Sequence, residues 1–302
     1  MEISVRIFIL FLFSHKDNCF IFVLHNKPKN KMILKAYPKI NLGLDILRRR
    51  ADGYHDIDTL MLPVGGVCDT LEILPAEGGG CHLQIEGLAV DCASDRNLVV
   101  KAWMLMKEKY GIGGVAMRLD KQIPFGAGLG GGSADAAAAI KGFNEIFSLG
   151  LSTEEMVEVA ARLGSDIPFF IHSSPTFCRG RGEIMTPSDI DLSGVWCVIS
   201  KPAFGISTAE AYAGVVPHVP EVALEERLRL PRSEWQSAIV NDFERSLFGN
   251  HTALPNIKRE LQRRGAFYAS LSGSGSAMYG LFDHRPDYSP IFAGEEVFIC
   301  QL

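Results

Sequence analysis

The run Pro124-Phe-Gly-Ala-Gly-Leu-Gly-Gly-Gly-Ser133-Ala-Asp135-Ala-Ala-Ala-Ala-Ile140 limits what this chain can fold into more than any other stretch. Glycines at 126, 128, 130, 131 and 132 let the backbone take positive φ and approach a ligand closely, and the alanines behind them are the strongest helix formers. A glycine loop therefore feeds a helix. Ser133 is expected at the N-cap and Asp135 in the first turn, so that the free N–H groups of that turn converge on whatever the loop holds. Phosphate is the ligand such a site fits best. A tight turn before a well-packed helix is the plain alternative, but each fixed glycine costs about 0.5–1 kcal/mol with no side chain to pack in return. Five glycines within seven positions argue against it.

Three phosphate motifs compete for the loop. Gly126-x-Gly128-x-x-Gly131 formally satisfies the dinucleotide fingerprint, yet Phe143 to Ser152 reads as helix end and turn where a second strand ending in an acidic residue should follow. A Walker A loop needs Gly-Lys before Ser or Thr, and the chain has no Gly-Lys pair. The His-Arg-Asp and Asp-Phe-Gly signatures of protein kinases are missing too.

What remains, Pro-x3-Gly-Leu-Gly-Gly-Gly-Ser, resembles the phosphate loop of the GHMP small-molecule kinases. Two further segments sharpen the resemblance. Lys35-Ala-Tyr-Pro-Lys39-Ile-Asn41-Leu-Gly-Leu-Asp-Ile-Leu47 leads into Arg50-Ala-Asp-Gly53-Tyr54-His55-Asp-Ile-Asp-Thr59, and Leu271-Ser-Gly273-Ser274-Gly275-Ser-Ala277 stands near the end. The likeness runs from about Met32 to the C-terminus and is greatest to the branch serving non-mevalonate (MEP) isoprenoid synthesis. It implies an α+β fold of two domains, a nucleotide-binding half like ribosomal protein S5 domain 2 over residues 32–190 and a ferredoxin-like half over 191–302. The implied reaction is ATP-dependent phosphorylation of the 2-hydroxyl of 4-diphosphocytidyl-2-C-methyl-D-erythritol, with Mg2+ bridging the β- and γ-phosphates. Another GHMP kinase, acting on homoserine, mevalonate or a sugar, and a non-catalytic ligand sensor on the same scaffold stay open as alternatives.

Composition is compatible with this reading. A net charge of −5 gives no electrostatic reason to expect nucleic acid. Seven cysteines, an odd number without a Cys-x-x-Cys pair, fit reduced thiols in a cytoplasmic protein, and no zinc spacing appears among them or the eight histidines. The expected state is a monomer or weak homodimer with no membrane partner. Ile7 to Phe13 and Phe20 to Leu24 are apolar, but Ser14 to Asn18 interrupts them, so neither run approaches the roughly 20 residues that span a bilayer. No small-residue cleavage site follows, and the stretch is too apolar and poor in serine for a transit peptide. Residues 1–31 are expected to be an extension upstream of the fold, with an added strand or hairpin as the alternative.

From Met32 onward strands and helices alternate. Strands are expected within Ile33–Leu47, Thr59–Leu74 and Val115–Leu119, and a helix over Asn97–Tyr110. A second helix opens at Thr153, with Ser152 as N-cap and Glu155 completing a capping box, and ends at Gly164. A strand with a glycine-rich turn follows over Thr176–Met185, and a strong strand over Val195–Lys201. Val215–Arg232 reads as connector, and strands recur near Tyr268 and Met278–Phe282 after a helix near Asn256–Arg264.

The residues alone leave Asp166 open between a turn aspartate in Ser-Asp-x-Pro and a partly buried base. Lys39, before a strand, would ordinarily be a solvated charge. The resemblance makes Asp166 the catalytic base and Lys39 its neighbouring ammonium. It further implies phosphate contacts from Pro124, Gly126, Gly128, Leu129, Gly130, Gly131, Gly132 and Ser133, and an adenine side at Asn97 and Leu98. Asn41, Tyr54, His55 and Tyr212 are implied to bind the acceptor, the tyrosine rings stacking on cytosine and the histidine reading its edge. Gly273, Ser274 and Gly275 form the loop that closes the site, and Ser133 is the candidate metal contact. Ala134 stands where the family commonly has a second small polar residue, which removes one hydroxyl from the loop.

Overall fold

The computed structural model describes residues 31–89 and 96–302. The expected extension therefore lies outside the described residues except for Lys31, whose ammonium pairs with Glu72 at 2.9 Å. Strands β1 (Met32–Ala36), β2 (Lys39–Arg49), β3 (His55–Pro63), β4 (Asp69–Ala76) and β5 (Cys81–Gly87) precede helix α1 (Leu98–Tyr110). Strand β6 (Gly114–Lys121) leads through the glycine loop into α2 (Gly131–Ile146), then α3 (Thr153–Leu163) and the short α4 (Ile167–His172). The hairpin β7 (Thr176–Gly180) and β8 (Ile184–Pro187) comes next, followed by β9 (Trp196–Lys201). Four short helices, α5 (Thr208–Ala213), α6 (Leu224–Arg227), α7 (Arg232–Ala238) and α8 (Phe243–Leu247), lead to α9 (Ala253–Arg263), β10 (Tyr268–Leu271), β11 (Met278–Phe282) and β12 (Glu296–Gln301).

These strands form three four-stranded sheets, ordered β1-β4-β6-β5, β2-β3-β7-β8 and β10-β11-β9-β12, and only β5 and β6 pair in parallel. Helix α2 is buried on nearly every side, which its alanines permit. Ala136 to Ala139 are at most 5 % exposed, and a Cβ on Gly142 would press into the side chains of Ile73 and Leu34. A helix apolar all round belongs in the middle of a core, and α2 lies between the first sheet and α1, α3 and α4.

The third sheet is buried on both faces. Cys197 and Ile199 of β9 join one apolar cluster with Ile40, Leu60 and Tyr279, whereas Val198 joins another with Phe243, Leu254 and Ile257. Such strands read as continuous apolar runs, so they lack the polar alternation of a surface sheet.

Most expected elements are present, and the mixed content is that of an α+β fold. Asn97 caps α1, its Oδ1 accepting the Val99 N–H at 2.9 Å, and the Ser152–Glu155 capping box opens α3. Three expectations need correcting. Ser133 is not the N-cap of α2, because the helix starts at Gly131 behind Gly130, whose φ of 73° suits glycine, and Asp135 falls beyond the first turn. Val215–Arg232 is not all connector, since it contains α6. Strands β5 and β12 were absent from the sequence reading, and each is an edge strand.

Candidate active site

A cavity of about 630 Å³ opens where the glycine loop, the start of β2, the head of α4 and the 272–276 turn meet. That volume suits a ligand-sized pocket. The loop is held from two sides. Its Leu129 carbonyl accepts the Lys39 N–H at 2.9 Å, and the Ser276 and Ala277 N–H groups donate to Gly126 and Ala127 at 3.3 and 3.0 Å. The Gly128 carbonyl accepts both the Lys39 Nζ at 2.6 Å and the Ser272 hydroxyl at 3.0 Å. Gly128 has φ 73°, and a Cβ there would overlap the Ser272 carbonyl. Only glycine lets loop and turn approach this closely.

Pro124, Gly126, Gly128, Leu129, Gly130, Gly131, Gly132 and Ser133 all line this cavity. At its head the first turn of α2 leaves backbone N–H groups without helical partners, the donor set that an anion satisfies. Gly273, Ser274 and Gly275 line it as well, on the turn packed against Gly128. Asn241 fixes that turn by donating to the Leu271 and Gly273 carbonyls at 2.9 Å each.

Lys39 and Asp166 face the same space. Lys39 is buried, and its ammonium donates to Asn41 Oδ1 at 2.6 Å, while Asn41 Nδ2 donates to Thr59 Oγ1 at 3.0 Å. Burial pushes the Lys39 ammonium below the ordinary lysine value, and the Asp166 carboxylate pulls against that shift. Asp166 stands at the N-terminal boundary of α4 without a capping hydrogen bond from its side chain, with Pro168 just inside the helix, and Gly182 of the β7–β8 turn sits against it, close enough for a Cβ to lie 3.4 Å from Oδ1.

Tyr54, His55 and Tyr212 line the other end. The rings of His55 and Tyr212 stack on each other at 4.6 Å and 18°, so Tyr212 faces the imidazole directly. Tyr54 projects into the opening, 56 % exposed. Burial and then Arg49 hold the His55 imidazole below the ordinary histidine value, which leaves it neutral at pH 7 with one donor and one acceptor nitrogen. Leu98 lines the cavity, but Asn97 does not, its side chain being committed to capping α1.

Two charged groups here escaped the sequence reading. Arg181, in the β7–β8 turn, lines the cavity; the only local signal was the Gly180-Arg-Gly182 pattern. Lys121 also lines it, and its ammonium is clamped between the buried carboxylates of Asp69 and Asp135. No sequence pattern links partners 52 residues apart. Among the described residues no group of three or more His, Cys, Asp or Glu could hold a metal ion.

The family of GHMP kinases N terminal domains matches residues 97–174, and that of GHMP kinases C terminal domains matches 225–289. The 4-diphosphocytidyl-2-C-methyl-D-erythritol kinase of Parabacteroides distasonis is 45 % identical over 252 residues, 83 % of this chain and 92 % of that one. Its counterpart in Bacteroides thetaiotaomicron is 44 % identical over 269 residues, 88 % and 98 % of the two chains. A crystal structure of 4-(cytidine 5'-diphospho)-2C-methyl-D-erythritol kinase aligns with TM-score 0.70 at 32 % identity, covering 83 % of this chain and 90 % of that one. The homoserine kinase of Cytophaga hutchinsonii shares the fold, with TM-score 0.66 at 14 % identity over 93 % and 98 % of the chains.

Proposed function

The chain belongs to the GHMP kinases and groups within them with the 4-diphosphocytidyl-2-C-methyl-D-erythritol kinases, and from that premise we propose how its residues divide the work. The enzyme is an ATP-dependent small-molecule kinase that phosphorylates the 2-hydroxyl of 4-diphosphocytidyl-2-C-methyl-D-erythritol in the non-mevalonate route. One observation carries the division of labour: the glycine loop, the Lys39 and Asp166 pair and the aromatic trio share a single cavity.

The loop from Pro124 to Ser133 and the amides of α2 cradle the triphosphate, and the adenine lies along Leu98 with Asn97 holding the helix end beneath it. Tyr54 gives the cytosine an apolar face, Tyr212 backs the His55 ring on which it stacks, and neutral His55 exchanges one hydrogen bond with the base edge, donating to a ring acceptor or accepting from the amino group. Asn41 orients the Lys39 ammonium. Asp166 takes the proton of the acceptor hydroxyl, and Lys39 keeps that carboxylate ionised and meets the negative charge that develops on the oxygen. Gly273, Ser274 and Gly275 steady the loop through the turn's direct packing against Gly128. Magnesium fits as a companion of the nucleotide, with the Ser133 hydroxyl as its protein contact, and when bound it offsets phosphate charge. The working unit is a cytoplasmic monomer or weak homodimer.

ADP release against a panel of alcohols tests the assignment. Strong turnover is expected with the cytidine-diphosphate alcohol and none with homoserine, mevalonate or sugars; the reverse preference would sink it, as would silence towards every alcohol. In the same assay Asp166→Asn is expected to lower kcat by about 10²–10⁴-fold with an unchanged melting temperature.

A further inference from the structure

Among the described residues three lysine and arginine side chains line the cavity, and two of them are committed. Lys39 is bound to Asn41 and Gly128, and Lys121 sits between Asp69 and Asp135. Arg181 is different. Its nearest carboxylate, Glu183, stands 3.8 Å from Nε, and the neighbouring Asp52 is gripped by Arg50 at 3.1 Å. The Arg181 guanidinium lies 5.1 Å from the centre of the Tyr54 ring, and the next residue, Gly182, abuts Asp166.

The turn that presents it is preset. Gly180 and Gly182 have φ of 69° and 114°, the Gly182 N–H donates to the Arg179 carbonyl at 3.0 Å, and the Arg181 N–H donates to Glu183 at 2.5 Å. The backbone beside Arg181 lies against Asp166, where the acceptor alcohol is deprotonated, and its guanidinium lies over Tyr54, so the residue spans the two groups.

We propose that Arg181 binds the diphosphate linking the cytidine to the acceptor alcohol. This rests on the substrate reading above. In such a substrate the base occupies one end and the reacting hydroxyl the other, so the linking phosphates pass the span that Arg181 covers. A planar guanidinium offers paired N–H donors to phosphate oxygens, and its place over the Tyr54 ring uses none of those donors. With a net charge of −5 the chain supplies no general positive field for an anionic substrate, so recognition falls to a placed cation.

Calorimetric titration of CDP and of cytidine, alongside KM for the alcohol substrate and for ATP, tests this with Arg181→Gln and Arg181→Lys. The glutamine variant is expected to weaken CDP about tenfold and raise the alcohol KM similarly, leaving cytidine affinity and the ATP KM unchanged, while lysine restores part of the loss. Equal weakening of CDP and cytidine would reduce Arg181 to a support for Tyr54 and overturn the proposal. So would a fall in kcat with CDP affinity intact, which would move the guanidinium to the transferred phosphoryl group. Failure of the substrate reading itself appears separately, as a wild-type enzyme that releases no ADP with the cytidine-diphosphate alcohol, and the proposal falls with it.

Discussion

Asp135 is buried in the second turn of α2 with one carboxylate oxygen on Lys121 and the other without a hydrogen-bond partner. Burial raises its pKa from 3.8 to about 7, against the opposing pull of Lys121, and Asp69 adds to the rise. Burial also works against the Lys121 ammonium, but the two carboxylates outweigh it and hold that group charged. One ammonium faces two carboxylates, so the cluster holds an extra proton most readily on Asp135. Between pH about 4 and 7 the folded protein keeps a proton that the unfolded chain has lost, and stability falls as pH rises through that window. Above it the contribution is flat. Urea midpoints measured from pH 4 to 8 are expected to show a shallower decline in Asp135→Asn than in wild type; parallel curves would contradict this. The consequence reaches the site because Asp69 also accepts the Gln122 and Ile123 N–H groups at 2.6 and 2.8 Å, pinning the chain just before the glycine loop.

Among the elements, the glycine loop depends most on its neighbours. Residues 126–129 accept hydrogen bonds from β2 and from the 272–277 turn, so their shape is shared among three segments far apart in sequence. Gly128→Ala is expected to cost about 1–3 kcal/mol from the left-handed backbone alone, with the overlap on Ser272 adding to it. Because that overlap pushes loop and turn apart, the KM for ATP is expected to rise together with a lowered denaturation midpoint. A variant with wild-type stability and ATP affinity would show that the close approach is not needed. The short helices α5 to α8 are a different case. At four to seven residues they are too short to be stable alone, and buried Ala211, Leu224, Trp235 and Phe243 hold them in place.

Across the whole molecule, strand β2 is the seam. It carries Lys39 and Asn41, and its backbone is held by residues from the C-terminal half: Tyr279 donates to the Asn41 carbonyl at 2.7 Å, and Asp242 accepts the Ile46 N–H at 2.8 Å. Arg227 forms a buried ion pair with Asp45 of the same strand. An apolar cluster also runs across residue 190, joining Ile40, Leu60 and Phe177 to Cys197, Tyr268 and Tyr279. The two halves are therefore expected to unfold in one transition, with far-ultraviolet circular dichroism and tryptophan fluorescence giving coincident urea curves. Trp103 reports on the first half and Trp196 and Trp235 on the second, so two separated fluorescence steps would mean independent domains. The sequence by itself determined the features that act over a few residues: the glycine loop and alanine helix, the Ser152 capping box and the family signature around Lys39, Tyr54 and Asp166. Turn, cap and propensity effects are local, so a short window contains their causes. Tertiary structure alone decided where α2 begins, how Lys121 is neutralised, that β5 and β12 are strands, and that Arg181 reaches the cavity, because those outcomes depend on groups that chain connectivity does not bring together and only packing does.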